Sequence, residues 1–125
     1  MQATLEHVNV TVSDPKRTAQ MLVDLFGWSI RWTGASKNNG VTYHVGGEDN
    51  YIAIYSMGGH EAAGDSYTTP GGLNHIGVVV DDLDATEAKV KAAGYITHSH
   101  ADYEPGKRFY FNDADDIEFE VVAYD

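Results

Sequence analysis

Two histidines stand third in two closely similar stretches, Leu5-Glu6-His7-Val8-Asn9-Val10-Thr11-Val12 and Leu73-Asn74-His75-Ile76-Gly77-Val78-Val79-Val80. Near the end, Ile117-Glu118-Phe119-Glu120-Val121-Val122 carries two carboxylates in alternation. All three read as short strands, which send successive side chains to opposite faces. Val8, Val10 and Val12 therefore share one face, as do Ile76, Val78 and Val80, and His7 and His75 point the other way. If Phe119 and Val121 pack on a helix, Glu118 and Glu120 lie opposite, together with Val122. Two imidazoles and one carboxylate, with coordination positions left open, form the donor set of catalytic zinc and of non-haem Fe(II). Such an ion polarises a bound oxygen, stabilises an enolate or alkoxide and lowers the pKa of bound water.

The elements that must carry these residues repeat in order. After the first strand, Ser13-Asp14-Pro15 starts a helix, with Asp14 as cap and Pro15 at the first helical position. Ala19, Leu22, Leu25 and Phe26 recur at helical spacing, and Gly27 ends the helix. Strands are expected over 28–33, 41–45 and 51–56, which makes the first half, 1–56, a βαβββ module. Residues 57–72 hold Gly58-Gly59, Gly64, Pro70 and Gly71-Gly72 with little apolar periodicity and read as a linker. The second module, 73–125, repeats the pattern. Asp84 with Glu87 forms a capping-box pattern, Leu83 staples onto Ala88, and Val90 and Ala93 continue a buried face up to Gly94. Strands follow over 95–99, 107–112 and 117–124, with turns at Glu104-Pro105-Gly106 and at 113–116. His7 lies seven residues before Asp14 and twenty before Gly27, and His75 seven before Asp82 and nineteen before Gly94. That positional match points to an internal duplication. The fold class expected is α+β, with two βαβββ modules forming a cupped mixed sheet and the helices on its convex face.

Composition narrows the partners. With 125 residues the chain fits one domain, or two small halves sharing a core. Its 19 acidic and 8 basic residues give a net charge of −11, which repels nucleic acid and anionic membrane surfaces. The absence of cysteine removes disulfides, thiolate metal sites and a cysteine nucleophile. The first residues lack a signal-peptide pattern and no apolar run reaches membrane-spanning length, so a cytoplasmic protein is expected.

The duplicated modules, the histidine in the first strand of each, and the tail Arg108-Phe109-Tyr110-Phe111-Asn112-Asp113-Ala114-Asp115-Asp116-Ile117-Glu118-Phe119-Glu120 resemble the vicinal oxygen chelate superfamily. That group holds the glyoxalase, fosfomycin-resistance, bleomycin-resistance and extradiol-dioxygenase proteins. The resemblance implies a metal-dependent lyase, dioxygenase or transferase that takes a small oxygen-chelating substrate. It implies a divalent ion (Fe, Mn, Zn or Ni) on His7, His75 and Glu120, a homodimer, and a catalytic role for Tyr110 by likeness to the dioxygenases. Glu118 falls two residues from the ligand position and reads as a residue at the rim of the site. Two departures stand out. Asp113-Ala114-Asp115-Asp116 replaces the usual Asp-Pro-Asp-Gly, although aspartate tolerates the left-handed backbone that glycine would take. Ala53 occupies the module-one position equivalent to Glu120, so a fourth protein ligand is lacking there.

Plainer readings stand beside these. A strand aromatic is the commoner reading of Tyr110, and core packing explains Trp28 and Trp32 as well as ligand stacking does. Alternation turns His44 inward, His98 or His100 loosely matches a helper histidine, and His60 reads as exposed in the linker. The rival function is a metal-free small-molecule binding protein of the bleomycin-resistance type, holding a cationic or aromatic ligand in an acidic cup.

Overall fold

Asp14 and Asp82, seven residues beyond His7 in one strand and His75 just before another, cap the two helices in the computed structural model, which describes residues 1–103 and 105–124. The chain divides into two units, Met1–Glu61 and Ala62–Asp125, and each is a βαβββ module of an α+β fold. The division falls within the Gly-rich stretch 57–72.

The first unit runs β1 (His7–Thr11), α1 (Pro15–Phe26), β2 (Ser29–Ser36), β3 (Gly40–Gly46) and β4 (Tyr51–Ser56). Its sheet has the order β1-β4-β3-β2, with β1 parallel to β4 and the other pairs antiparallel. Asp14 is extended and its carboxylate accepts from the Arg17 amide, which satisfies one of the free N–H groups of the first turn and is worth about 1 kcal/mol. At the other end Gly27 takes the left-handed conformation (φ 70°) and donates its N–H to the Val23 carbonyl. The apolar stripe Ala19, Leu22 and Leu25 is fully buried, as are Val45, Ile52 and Ile54 on the sheet. Ile52 and Ile54 alternate with Ala53, which therefore looks away from the helix.

The second unit runs β5 (Ile76–Val79), α2 (Leu83–Ala92), β6 (Thr97–Tyr103), β7 (Gly106–Asn112) and β8 (Glu118–Ala123). Its order β5-β8-β7-β6, with β5 parallel to β8, repeats the first sheet strand for strand. Phe109, Phe111, Phe119 and Val121 are buried with Val90 of α2, and each such phenylalanine contributes roughly 1.5–3 kcal/mol. Phe111 and Phe119 stack at 5.1 Å.

Four details differ from the sequence reading. The cap of α2 is Asp82, whose carboxylate accepts from the Ala85 amide, not Asp84. Glu87 faces β6, accepting from the Thr97 hydroxyl at 2.6 Å and contacting His100 at 2.7 Å, so no capping box forms. Ala93 is exposed. Finally, β6 carries a bulge between His98 and Ala101, with Ser99 at φ 56°. The turn expected at Glu104-Pro105-Gly106 begins on Glu104, which lies outside the described residues. The 113–116 turn closes with Asp116 at φ 62°, and the Asp113 carboxylate accepts from the amides of Asp115 and Ile117. Aspartate thus fills the left-handed position at the end of this turn.

Candidate metal and ligand site

In the second unit the face opposite the helix gathers His75, Glu120, Arg108 and Tyr110. Parallel pairing sets Gly77 beside Glu120, and antiparallel pairing sets Tyr110 on the other side of Glu120 and His98 beyond it. His75, two residues before Gly77, reaches Glu120 with Nε2 3.2 Å from Oε1. Arg108 donates from Nη1 to Oε2 of the same carboxylate at 2.7 Å. Both members of that ion pair are only about 15% exposed, at 14% and 15%, so water screens the pair weakly. The Arg108 Nε is buried without a hydrogen-bond partner, and its guanidinium carbon lies 5.3 Å from the Tyr103 ring centre.

Nδ1 of His75 lies 2.7 Å from the Asn74 side-chain amide, which holds that side of the ring. Nε2 faces the Glu120 carboxylate at 3.2 Å, a separation that suits either a hydrogen bond from an Nε2–H or a shared metal ion. His7 is held in the same way: its Nδ1 lies 2.8 Å from Oε1 of Glu6, again the residue before it. Glu6 is kept below the usual carboxylate range, chiefly by that hydrogen bond. Fixing Nδ1 on an outer oxygen and leaving Nε2 free is how ligating histidines are oriented.

Tyr110 stands edge-on to His75 at 5.9 Å and stacks on His98 at 6.2 Å. Burial raises its pKa, and the charge and hydrogen bond of Glu120 raise it further, so it holds its proton at neutral pH. His98 shares this face with both ring nitrogens engaged, at 2.8 Å from Asn112 Oδ1 and 2.9 Å from Ser99 Oγ. His100 has gone to the helix side, because the bulge at Ser99 reverses the alternation. Glu118 accepts from the Tyr67 hydroxyl at 2.6 Å, which pushes the Tyr67 pKa up to about 12.

The same register in the first unit reads Asn9, Ala53, His44, Trp32 where the second reads Gly77, Glu120, Tyr110, His98. Ala53 therefore does hold the place of Glu120. Rings replace the carboxylate: His7 stacks on Tyr51 at 4.8 Å, Tyr51 on His44 at 4.4 Å, and His44 meets Trp32 at 5.0 Å. Arg31, the extra residue of a bulge in β2, lies over Tyr51 at 4.8 Å. His44 is kept below the usual histidine value, first by burial and then by the charges of His7 and Arg31. His60 is exposed.

Among the predicted site residues, His75, Glu120 and Tyr110 meet within the second unit, and His7 belongs to the first. Among the described residues no group of three or more His, Asp or Glu side chains is gathered for metal binding. Sequence reading overlooked Arg108, Glu6 and Asn74. Arg108 was signalled by its place two residues before Tyr110 on one strand, and the tethers by a polar residue before each histidine.

The model of the Glyoxalase/Bleomycin resistance protein/Dioxygenase superfamily matches residues 4–121. The chain belongs to that family, the vicinal oxygen chelate superfamily of the resemblance. Among solved structures, it is similar to a glyoxylase/bleomycin resistance protein/dioxygenase domain from Frankia sp. EAN1pec, at 22% identity and a TM-score of 0.84 over 100% of both chains. It is also similar to a mutant of the fosfomycin resistance protein FosX from Listeria monocytogenes, complexed with Mn(II) and 1S,2S-dihydroxypropylphosphonic acid. There the identity is 21% and the TM-score 0.77, over 98% of this chain and 93% of that one. A third is TnmS3, an antibiotic binding protein from Streptomyces sp. CB03234, at 15% and 0.76 over 99% and 98%. At these identities the likeness is one of fold. A comparison with curated protein sequences finds no match. No helix among the described residues is long and apolar enough to cross a membrane.

Proposed function

We propose that this protein is a divalent-metal enzyme of the glyoxalase-like superfamily that acts on a small oxygen-chelating substrate, with His7, His75 and Glu120 as protein ligands. The observation that carries this reading is the approach of His75 Nε2 to Glu120 Oε1 at 3.2 Å, with Nδ1 held at 2.7 Å by Asn74. Imidazole nitrogen and carboxylate oxygen suit Fe, Mn, Zn or Ni. The ion, when bound, supplies Lewis-acid stabilisation of negative charge on a substrate oxygen. Glu6 and Asn74 each take the Nδ1 side of an imidazole and leave Nε2 for the proposed ion. Arg108 takes Oε2 of Glu120 and leaves Oε1 toward His75. Tyr110, held protonated, offers a hydrogen beside Glu120 and acts as the proton donor of the site. FosX, a relative in fold, was crystallised with Mn(II), which supports a divalent ion in this frame. A cytoplasmic homodimer is the assembly expected; the exposed apolar side chains Val8 and Val79 on the first strand of each unit support self-association, and light scattering tests it.

Metal analysis of protein purified without an affinity tag tests the reading. About one divalent ion per chain is expected for the wild type, and a large loss for His75→Ala and Glu120→Ala. Equal content in all three rejects it.

One observation favours a second reading. Glu120 already has a cation in Arg108, so the carboxylate is compensated without any metal. A metal-free binding protein would show a rise in melting temperature with aromatic compounds that a chelator leaves intact.

A further inference from the structure

The first unit carries a cavity of about 490 Å³ whose lining includes Asn9, Trp32, Lys37, Asn38, His44 and Tyr55. That volume suits a small organic molecule. Its floor is built, not incidental. The Trp32 indole lies against Gly34, two residues along the same face, and a Cβ at Gly34 would sit 2.7 Å from the indole Cζ2. Glycine at that position is what lets the indole rest on the sheet. One wall is equally fixed: the Tyr55 hydroxyl donates to the Lys37 carbonyl at 2.8 Å, and Gly40 leaves the room that the Tyr55 ring needs. The hairpin tip between β2 and β3 is set by Asn38 and Asn39, both in the left-handed region at φ 58° and 57°. Asparagine tolerates that conformation better than most residues.

Charge at the cavity runs against the rest of the chain. In a protein of net charge −11, the only ionised side chain among the described lining residues is Lys37, and no carboxylate lines it. A half-exposed indole, 47% accessible, offers a stacking surface. Lys37 with the amides of Asn9 and Asn38 offers donors to an anion.

We infer that this face of the first unit is the recognition site for a planar aromatic ring bearing an anionic group, stacked on Trp32 and neutralised at Lys37. The ring ladder from Trp32 through His44 and Tyr51 to His7 connects that shelf to a proposed metal ligand. The inference deepens the proposed function and rests on it only for that adjacency. An anionic ligand replaces the cationic one that the acidic composition suggests.

The test uses EDTA-treated protein, so that metal binding and ring binding fail separately. Calorimetric titration with 2-naphthoate, cyclohexanecarboxylate and 2-naphthylmethylamine is followed in parallel by the indole N–H resonances. Naphthoate is expected to bind, to shift the Trp32 indole signal, and to bind about tenfold tighter than either comparison compound. Trp32→Leu should lose about tenfold. Gly34→Ala, which keeps the indole but lifts it, should lose a comparable factor, and Trp28→Phe should change nothing, since Trp28 packs on Phe26 at 5.2 Å. Absence of naphthoate binding, equal binding of the cyclohexane acid or the amine, or indifference to both Trp32→Leu and Gly34→Ala in folded protein overturns the inference. None of these results bears on Mn(II) content.

Discussion

His75 Nε2 and Glu120 Oε1 lie 3.2 Å apart, on neighbouring segments of a parallel pair whose register sets Gly77 beside the carboxylate. The Asn74 side chain holds the other ring nitrogen, with Nδ1 2.7 Å from Oδ1. Removing the tether frees the imidazole to rotate. Asn74→Ala is expected to weaken metal binding roughly 10–100-fold, while Asn74→Asp retains most of it, as measured by competition with a chelating dye.

Arg108 and Glu120 should behave as a coupled pair. Arg108→Met leaves a poorly hydrated carboxylate without its closest cation and lowers the denaturation midpoint. Adding Glu120→Gln removes the uncompensated charge. The double variant is therefore expected to be more stable than the sum of the two single changes, and a double-mutant cycle in urea measures the difference.

Glu87 gives the second unit an acid-sensitive contact. Hydrogen bonds from Thr97 and His100 depress its pKa, Thr97 most. A depressed carboxylate adds stability that is complete above its unfolded value and is lost as pH falls below about 4 through the folded value. Unfolding midpoints of the wild type should fall more steeply from pH 5 to pH 3 than those of Glu87→Gln, so that an advantage held at pH 7 is lost on acidification.

Tyr67 should ionise well above the ordinary tyrosine value. Its hydroxyl donates to Glu118, which pushes it up to about 12. The stability this adds is present below the ordinary tyrosine value of about 10 and is lost as pH rises through the folded value. Spectrophotometric titration should show one high-pH phase that moves toward 10 in Glu118→Ala.

Much of this fold was legible because local chemistry and periodicity agree. Asp14, Pro15 and Gly27 bounded α1 where they were expected, and β4 was read at its observed limits, Tyr51–Ser56. The equivalence of Ala53 and Glu120 followed from the repeat and holds in the strand register. The Asp84 reading failed because three aspartates crowd the start of α2, and a glutamate three residues on can bond elsewhere. The repeat itself pointed to Asp82, at the spacing of Asp14 from His7. His98 and His100 stood as alternative matches to a helper histidine. One residue in the left-handed region, Ser99, separated them, and serine carries no sequence signal for that conformation. Arg108 escaped notice because an arginine in a strand tail is ordinary until its carboxylate partner is known.

Pulsed EPR of the Mn(II)-loaded protein tests the proposed coordination most directly, since it reads nitrogen nuclei bound to the ion. Two imidazole nitrogens are expected in the wild type and one in each of His7→Ala and His75→Ala. A wild-type spectrum without nitrogen couplings, or one that neither substitution alters, contradicts a site built on His7, His75 and Glu120.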